Sequence, residues 1–114
     1  MNIGTDIIEI SRIKEAIENG GQTFLDKIYT KKEQEYCESR KNAKYQHYAG
    51  RFAAKEAIFK AISDEMKSIS WLDIEIEHKE NGKPEVLVYK QKSNIKVSIS
   101  HCKEYATATA VKCG

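Results

Sequence analysis

The hydrophobic period of the chain changes near Ser70, and this change constrains the fold more than any other feature. Before it, apolar residues recur at helical spacing, most clearly between residues 42 and 62. After it, Leu72, Ile74 and Ile76 alternate with acidic residues, the pattern of a strand with one buried face. The sequence therefore predicts an α+β fold in which an early strand and helices precede an antiparallel meander.

Local signals divide the N-terminal half into a strand followed by helices. Residues 2–10 are rich in isoleucine and predict a strand. Ser11 offers an N-cap for a short helix that residues 19–21, Asn-Gly-Gly, are expected to stop. Thr30 and Glu33 have the spacing of a capping box, so another helix is predicted to begin there.

The C-terminal part contains the turn signals of antiparallel strands. Asn81-Gly82 is the strongest short hairpin signal, and Val86 follows it on the return strand. Residues 97–99 and 105–111 predict two further strands separated by a turn. Neither a repeat nor a linker interrupts the sequence, which predicts one domain over residues 1–114.

Composition excludes several classes of protein. The 19 basic and 17 acidic residues nearly balance, which indicates local basic patches but not a protein that coats nucleic acid. Neither a signal peptide nor a stretch long and apolar enough to span a membrane is expected. Cys37, Cys102 and Cys113 lack the spacing of a zinc site, and free thiols suit a reducing compartment. We therefore expect a cytoplasmic protein.

Two carboxylates are predicted on otherwise apolar faces. Asp6 shares a strand face with Ile8, and Glu56 shares a helix stripe with Phe59. Asp6 is equally explained by a hydrogen bond to backbone at a sheet margin. The spacing of Glu56 alone favours an ordinary i,i+4 pair with Lys60. Together, two inward carboxylates from different elements would suit Mg²⁺, which prefers oxygen ligands.

Basic side chains accompany these acids. Arg51 and Lys55 lie about 40° apart on one flank of the long helix. Arg12 and Lys14 are expected on the solvated face of the first helix. Such cations either belong to a solvated surface or attract an anionic partner.

The three histidines differ in how well the sequence supports a functional role for them. His101 closes a strand face, where a histidine is more often structural than functional. His47 and His78 are predicted at the surface among polar residues. From the residues alone, we predict a site suited to a phosphorylated substrate with Mg²⁺, and the type of reaction stays open.

Six short stretches of the chain together carry a resemblance to a known family. They are residues 3–6 with Arg12, 24–30 with Glu33, 50–57 with Lys60, 73–76, 81–84, and 97–101 with Tyr105-Ala106. In this order within so short a chain, they resemble the holo-acyl-carrier-protein synthase family, the short trimeric type within the 4′-phosphopantetheinyl transferase superfamily. The helix motif Gly50–Ala57 is the most specific single stretch.

The resemblance implies an activity and an assembly. Members of this family transfer 4′-phosphopantetheine from coenzyme A to a serine of apo-acyl carrier protein. The products are holo-carrier protein and adenosine 3′,5′-bisphosphate, and the reaction supports fatty acid biosynthesis. The resemblance further implies a homotrimer that binds coenzyme A in clefts between subunits, with Arg12 and Lys14 docking the acidic carrier protein.

The resemblance also assigns roles to residues. Asp6 and Glu56 would hold Mg²⁺ against the pyrophosphate of coenzyme A, and Lys60 would contact the same phosphates. These three are the predicted catalytic residues, and the base is either Glu56 or a water on the metal. Arg51 and His101 would meet the 3′-phosphate, and residues 81–84 would lie against the adenine. The full set predicted to bind coenzyme A is Arg51, Lys55, Lys60, Asn81, Gly82, Lys83, Pro84 and His101.

The sequence departs from the family pattern at two places, and the first departure is the best support for an alternative function. Residues 63–68 stand where the family usually has a Gly-x-Gly loop, and Cys102 stands where a hydroxyl residue commonly follows the histidine. The alternative is a module that binds coenzyme A or a carrier protein without transferring anything. Retention of Asp6, Glu56 and Lys60 favours the enzyme.

Overall fold

The computed structural model describes residues 1–62 and 68–114 and has the predicted α+β architecture. Helices are α1 (Ile10–Ile28), α2 (Lys31–Ser39) and α3 (Lys44–Ala61); strands are β1 (Asn2–Glu9), β2 (Ile74–His78), β3 (Pro84–Val88), β4 (Gln91–Lys92), β5 (Ile95–His101) and β6 (Tyr105–Lys112). Short 3₁₀ turns cover Lys41–Ala43 and Trp71–Asp73. No helix in these two described ranges is long and apolar enough to cross a membrane.

The strands form two antiparallel sheets, one in the order β1-β6-β5 and the other in the order β2-β3-β4. The last strand lies in the centre of the first sheet, where Ala108 pairs with Asp6 on one side and with Ile99 on the other. Antiparallel pairing agrees with the prediction. The division into two sheets does not follow from the sequence pattern, because period two fixes which face of a strand is buried but not its neighbour.

Small residues bring α3 very close to the first sheet. The buried core here includes Ala53, Ala54, Ala57 and Ala61 of α3 and Ala108 and Ala110 of β6. At Gly4, a Cβ atom would lie 2.0 Å from the carbonyl oxygen of Ala57 and 2.9 Å from the backbone nitrogen of Ala61. Strand β1 therefore crosses the C-terminal half of α3 in direct backbone contact, and this contact fixes Asp6 two residues further on.

A buried ion pair ties α3 to the other elements. The Lys55 ammonium donates to the carbonyl oxygens of Ile28 and Trp71 at 2.7 and 2.9 Å and to Glu33 Oε1 at 2.8 Å. Glu33 also accepts from the backbone nitrogens of Thr30 and Ile76, at 2.8 and 2.9 Å. The predicted capping box at the start of α2 is confirmed, and its glutamate additionally serves the core.

Two local predictions, the cap of the first helix and the start of β2, are wrong. Helix α1 begins at Ile10 with Glu9 as its N-cap, so Ser11 does not cap it. The predicted interruption at residues 19–21 is confirmed, because Gly21, at φ 58°, is non-helical and forms a kink between two helical segments of α1. Leu72 lies in a 3₁₀ turn and is exposed, because β2 begins only at residue 74.

The β2–β3 hairpin forms where the sequence predicts it. Gly82 adopts φ 81°, a conformation that favours glycine, and the side chain of Asn81 accepts a hydrogen bond from the backbone nitrogen of Lys83. The hairpin carries residues 81–83 into solvent.

Candidate active site

Asp6, Glu56 and Lys60 come together where β1 crosses the last turns of α3, and we call this group the acidic site. The Lys60 ammonium donates to the carbonyl oxygen of Thr5 at 2.9 Å and lies 3.4 Å from Asp6 Oδ1. The Asp6 side chain is only 18% exposed, and Glu56 is half-buried, as the helical stripe predicts. Their assigned catalytic roles stay predictions.

The acidic site carries more negative charge than its surroundings neutralise. Burial raises the pKa of Glu56, the charge of Asp6 raises that pKa further, and Lys60 opposes the shift. A cation would relieve this repulsion. Across the described residues, three or more metal-ligating side chains do not gather anywhere, so a metal here would have two protein carboxylates and take its other ligands from substrate or water. Such a ligand set suits Mg²⁺.

Arg51, in contrast to the acidic site, is a buried positive charge without a carboxylate partner. Its side chain is 2% exposed, and its Nε has no hydrogen-bond partner in the parts of the chain that are described. The guanidinium lies 4.4 Å from the ring centroid of Tyr36, and its Nη2 lies 2.6 Å from Nδ1 of His78. Its charge is therefore left for an anion to neutralise.

All three histidines surround this arginine in a cavity of about 140 Å³, which we call the histidine pocket. Its lining comprises Gln46, His47, Gly50, Arg51, His78, Ile99 and His101. The rings of His47 and His101 have centroids 6.0 Å apart. Arg51 and His78 also border a wider cleft of about 710 Å³ that reaches Asn81 on the hairpin.

The prediction that His47 and His78 are surface residues is wrong, because both are half-buried. Burial, followed by the charge of Arg51, lowers the pKa of His47 to about 4 and also lowers that of His78. Both rings are therefore neutral near pH 7. A signal was present in each case: period two places His78 on the buried face of Ile76, and His47 precedes Arg51 by one helical turn.

Lys55 corrects the predicted set of coenzyme A ligands. Its ammonium is fully buried and makes the three internal contacts described above, so it faces the core and not a cleft. The pattern misplaced it because Arg51 and Lys55 share a flank of α3, and that flank packs against α2 and the turn before β2.

The remaining predicted residues lie at three places. Asn81, Gly82 and Lys83 are exposed, and Pro84 is half-buried. Lys83 and Pro84 border a groove between the two sheets. Arg12 and Lys14 are exposed on α1, where Arg12 pairs with Glu9 at 3.3 Å. Most of the predicted departure at residues 63–68 lies outside the described residues. Cys102 is exposed.

Comparison with known proteins identifies the family. The sequence profile of the 4′-phosphopantetheinyl transferase superfamily matches residues 2–110. The chain belongs to this superfamily. It is 52% identical to the holo-[acyl-carrier-protein] synthase of Ruminiclostridium cellulolyticum, over 97% of this chain and 90% of that protein. It is 53% identical to the synthase of Chlamydia caviae, over 96% and 94% of the two chains.

Solved structures of holo-acyl-carrier-protein synthases have the same fold. The Bacillus anthracis enzyme in complex with CoA (3′,5′-ADP) has a TM-score of 0.81 at 36% identity, over 96% of this chain and 92% of that one. The Helicobacter pylori enzyme in complex with coenzyme A has a TM-score of 0.80 at 31% identity, over 96% and 97%. The resemblance found in the sequence, and with it the predicted function of a phosphopantetheinyl transferase, is confirmed.

Proposed function

We propose that this chain transfers 4′-phosphopantetheine from coenzyme A to a serine of apo-acyl carrier protein, using the acidic site for the reaction and the histidine pocket for the coenzyme. One observation carries the proposal: α3 presents one site with excess negative charge and one with excess positive charge. The acidic site needs a cation, and Arg51 needs an anion. Coenzyme A with a divalent cation satisfies both.

The acidic site suits the chemistry of the transfer. The serine oxygen attacks the phosphorus of the pyrophosphate that bears pantetheine, a new O–P bond forms, and the bond to the leaving phosphate breaks. Adenosine 3′,5′-bisphosphate leaves with the electron pair. Lys60 offers N–H groups to the charge that collects on the leaving oxygens. Glu56 would accept the serine proton as the general base.

Asp6 and Glu56 are the residues that would hold Mg²⁺. Bound Mg²⁺ would neutralise pyrophosphate oxygens during the transfer. Because the pKa of Glu56 is raised, its ionised form opposes folding, and this cost appears as the pH rises above the ordinary range of a glutamate. At pH 7.5 without metal, we expect Glu56→Gln to unfold at a higher temperature than wild type, with a smaller gain at pH 4. Mg²⁺ should stabilise only the wild type.

The binding of coenzyme A would extend from the acidic site to the hairpin. Arg51 and His101 would take the 3′-phosphate in the histidine pocket, and residues 81–84 would flank the adenine. Support comes from the wider cleft, which joins Arg51 to Asn81.

The carrier protein would dock on α1. Arg12 and Lys14 are both exposed there, and Arg12 has a single ion pair among the residues described, with Glu9. Exposed cations of this kind steer an acidic partner by charge.

We further propose a homotrimer. The outer face of the first sheet exposes Ile3 and Ile7 of β1, at 66% and 65%, and Tyr105 of β6, at 44%, and association would cover them. In such a trimer, the acidic site of one subunit would face His101 of its neighbour. Mixing Glu56→Ala chains with His101→Ala chains would then restore part of the activity that each lacks alone. Absence of recovery, with mixed trimers shown by mass spectrometry, would contradict a shared cleft.

The cellular setting follows from the activity. Holo-carrier protein supports fatty acid biosynthesis, and we place the enzyme in the cytoplasm. Three free cysteines, Cys37, Cys102 and Cys113, suit a reducing compartment.

The mass of the carrier protein tests the proposal. Incubation of the chain with coenzyme A, Mg²⁺ and apo-acyl carrier protein should add one phosphopantetheine group to the carrier. A carrier whose acceptor serine is changed to alanine should gain nothing. An unchanged wild-type carrier, with coenzyme A still bound by the chain, would instead support the non-catalytic module.

A further inference from the structure

The contact between Arg51 and His78 determines the protonation of the histidine. Arg51 Nη2 lies 2.6 Å from His78 Nδ1. A guanidinium only donates hydrogen bonds, so Nδ1 has to accept, and an accepting imidazole is neutral and carries its proton on Nε2. Burial, followed by the charges of Arg51 and Arg40, lowers the pKa of His78, which agrees with a neutral ring.

Arg51 and His78 are oriented by the same aromatic ring. The His78 ring stacks on Tyr36 with centroids 4.7 Å apart and an angle of 6° between the planes. The guanidinium of Arg51 also lies over Tyr36, at 4.4 Å. These three side chains come from β2, α2 and α3. An arginine has several rotatable bonds, and the contacts with His78 and Tyr36 restrict its orientation.

No carboxylate is among the described residues that line the histidine pocket beside this arrangement. Helix α2 contributes Arg40, whose guanidinium also lies near Tyr36, at 5.6 Å. Helix α3 contributes His47, and β5 contributes His101. Among the described residues, Arg51 has no ion pair with a carboxylate. The pocket of about 140 Å³ beside it has room for a single phosphate group.

We propose that His78 is a positioning residue, which holds the Arg51 guanidinium in the orientation that binds the 3′-phosphate monoester of coenzyme A. This inference rests on the proposed function, in which the acidic site takes the pyrophosphate and leaves the monoester for the pocket. The hydrogen bond to Nδ1 fixes Nη2 and with it the plane of the guanidinium, whose buried Nε has no hydrogen-bond partner among the described residues.

Two substitutions separate the hydrogen bond from the ring stack. His78→Phe keeps an aromatic ring against Tyr36 but has no acceptor for Arg51. His78→Asn loses the ring but places its amide oxygen near the position of Nδ1. If His78 acts through the hydrogen bond, His78→Asn should retain the function that His78→Phe loses.

The measurement is the ratio of affinities for coenzyme A and 3′-dephospho-coenzyme A, obtained by calorimetry at pH 7.5. We expect wild type to prefer coenzyme A, and His78→Phe to reduce that preference by about tenfold, because hydrogen bonds to charged groups have this size. His78→Asn should stay within about threefold of wild type. Affinity for the dephospho ligand should be unchanged in both variants, which shows that the rest of the site is intact.

The possible failures are distinguishable. An unchanged preference in His78→Phe would overturn the role of His78 and leave the proposed function standing. Equal losses for both ligands would show a merely structural role and would overturn it too. A wild type without preference would contradict the assignment of the pocket to the 3′-phosphate. A wild type that binds neither ligand would overturn the proposed function itself.

Discussion

The backbone contact between β1 and α3 makes Gly4→Ala the most informative single substitution. An added Cβ would lie 2.0 Å from the Ala57 carbonyl oxygen, 2.9 Å from the Ala61 nitrogen and 2.9 Å from Lys60 Cβ. Two of these neighbours are backbone atoms within a helix, so side-chain rotation cannot relieve the overlap. Strand and helix must move apart.

The expected cost lies at the upper end of the usual range. Overpacking a core costs typically 1–3 kcal/mol, and we expect about 3 kcal/mol because the clash is with backbone. For a domain of this length, each kcal/mol lowers the unfolding temperature by about 4 °C. Gly4→Ala should therefore unfold about 12 °C below wild type.

Gly50→Ala is the matched control. This glycine is also buried, but its added Cβ would meet a single atom, Cγ2 of Ile99, at 3.0 Å. Gly50 lies inside α3, where alanine is favoured over glycine by about 1 kcal/mol. We expect its unfolding temperature to equal or exceed that of wild type in the same calorimetric scan.

In Gly4→Ala, the loss of transfer activity should exceed what partial unfolding of the variant explains. The displaced strand carries Asp6 away from Glu56 and Lys60, so transfer should be impaired even at temperatures where the variant is fully folded. An unfolding temperature within about 4 °C of wild type, which corresponds to about 1 kcal/mol, would refute the close contact. A destabilised Gly4→Ala variant that transfers at the normal rate would refute the inference that the contact between β1 and α3 positions the acidic site.

Three further predictions concern charged side chains. Lys55→Met leaves the Glu33 carboxylate buried without its cation and should cost about 3–5 kcal/mol in urea unfolding; a loss below 1 kcal/mol would contradict a structural role for the pair. The pKa of His47 is lowered from 6.5 to about 4, so the folded state resists protonation and loses stability as the pH falls through this interval. His47→Phe should therefore lose less stability than wild type between pH 7 and pH 5, and equal losses would contradict the shift. Arg12→Glu with Lys14→Glu should weaken carrier binding and leave coenzyme A binding unchanged. Salt should slow the wild-type association, since exposed charges are screened over about 8–10 Å, and salt-independent association would contradict charge steering.

Periodicity and turn chemistry predicted most of the local structure. The alternation at Ile74 and Ile76, the capping box at Thr30 and the hairpin at Asn81-Gly82 are local patterns, and each appears in the structure. The same reasoning placed Asp6 and Glu56 on inward faces, and both are half-buried. Such features depend on neighbours within a few residues, which the sequence displays directly.

Features that depend on distant contacts could not be predicted. Lys55 has the spacing of a ligand on a helix flank, but its partners, Ile28, Glu33 and Trp71, are 16 to 27 residues away. The burial of His47 likewise depends on how β2 and β5 pack beside α3. Ser11 is a good capping residue, yet α1 begins one residue before it because β1 leads directly into the helix.

The transfer rate of variants of the acidic site tests the central claim most directly. We propose measuring a single turnover with saturating coenzyme A and apo-carrier protein for Asp6→Asn and Glu56→Gln, after binding assays confirm that each still takes up the coenzyme. Each substitution should slow the transfer by a hundredfold or more, the usual size of such electrostatic contributions. Retention of more than about a tenth of the wild-type rate in both variants would contradict the assignment of the reaction to this site.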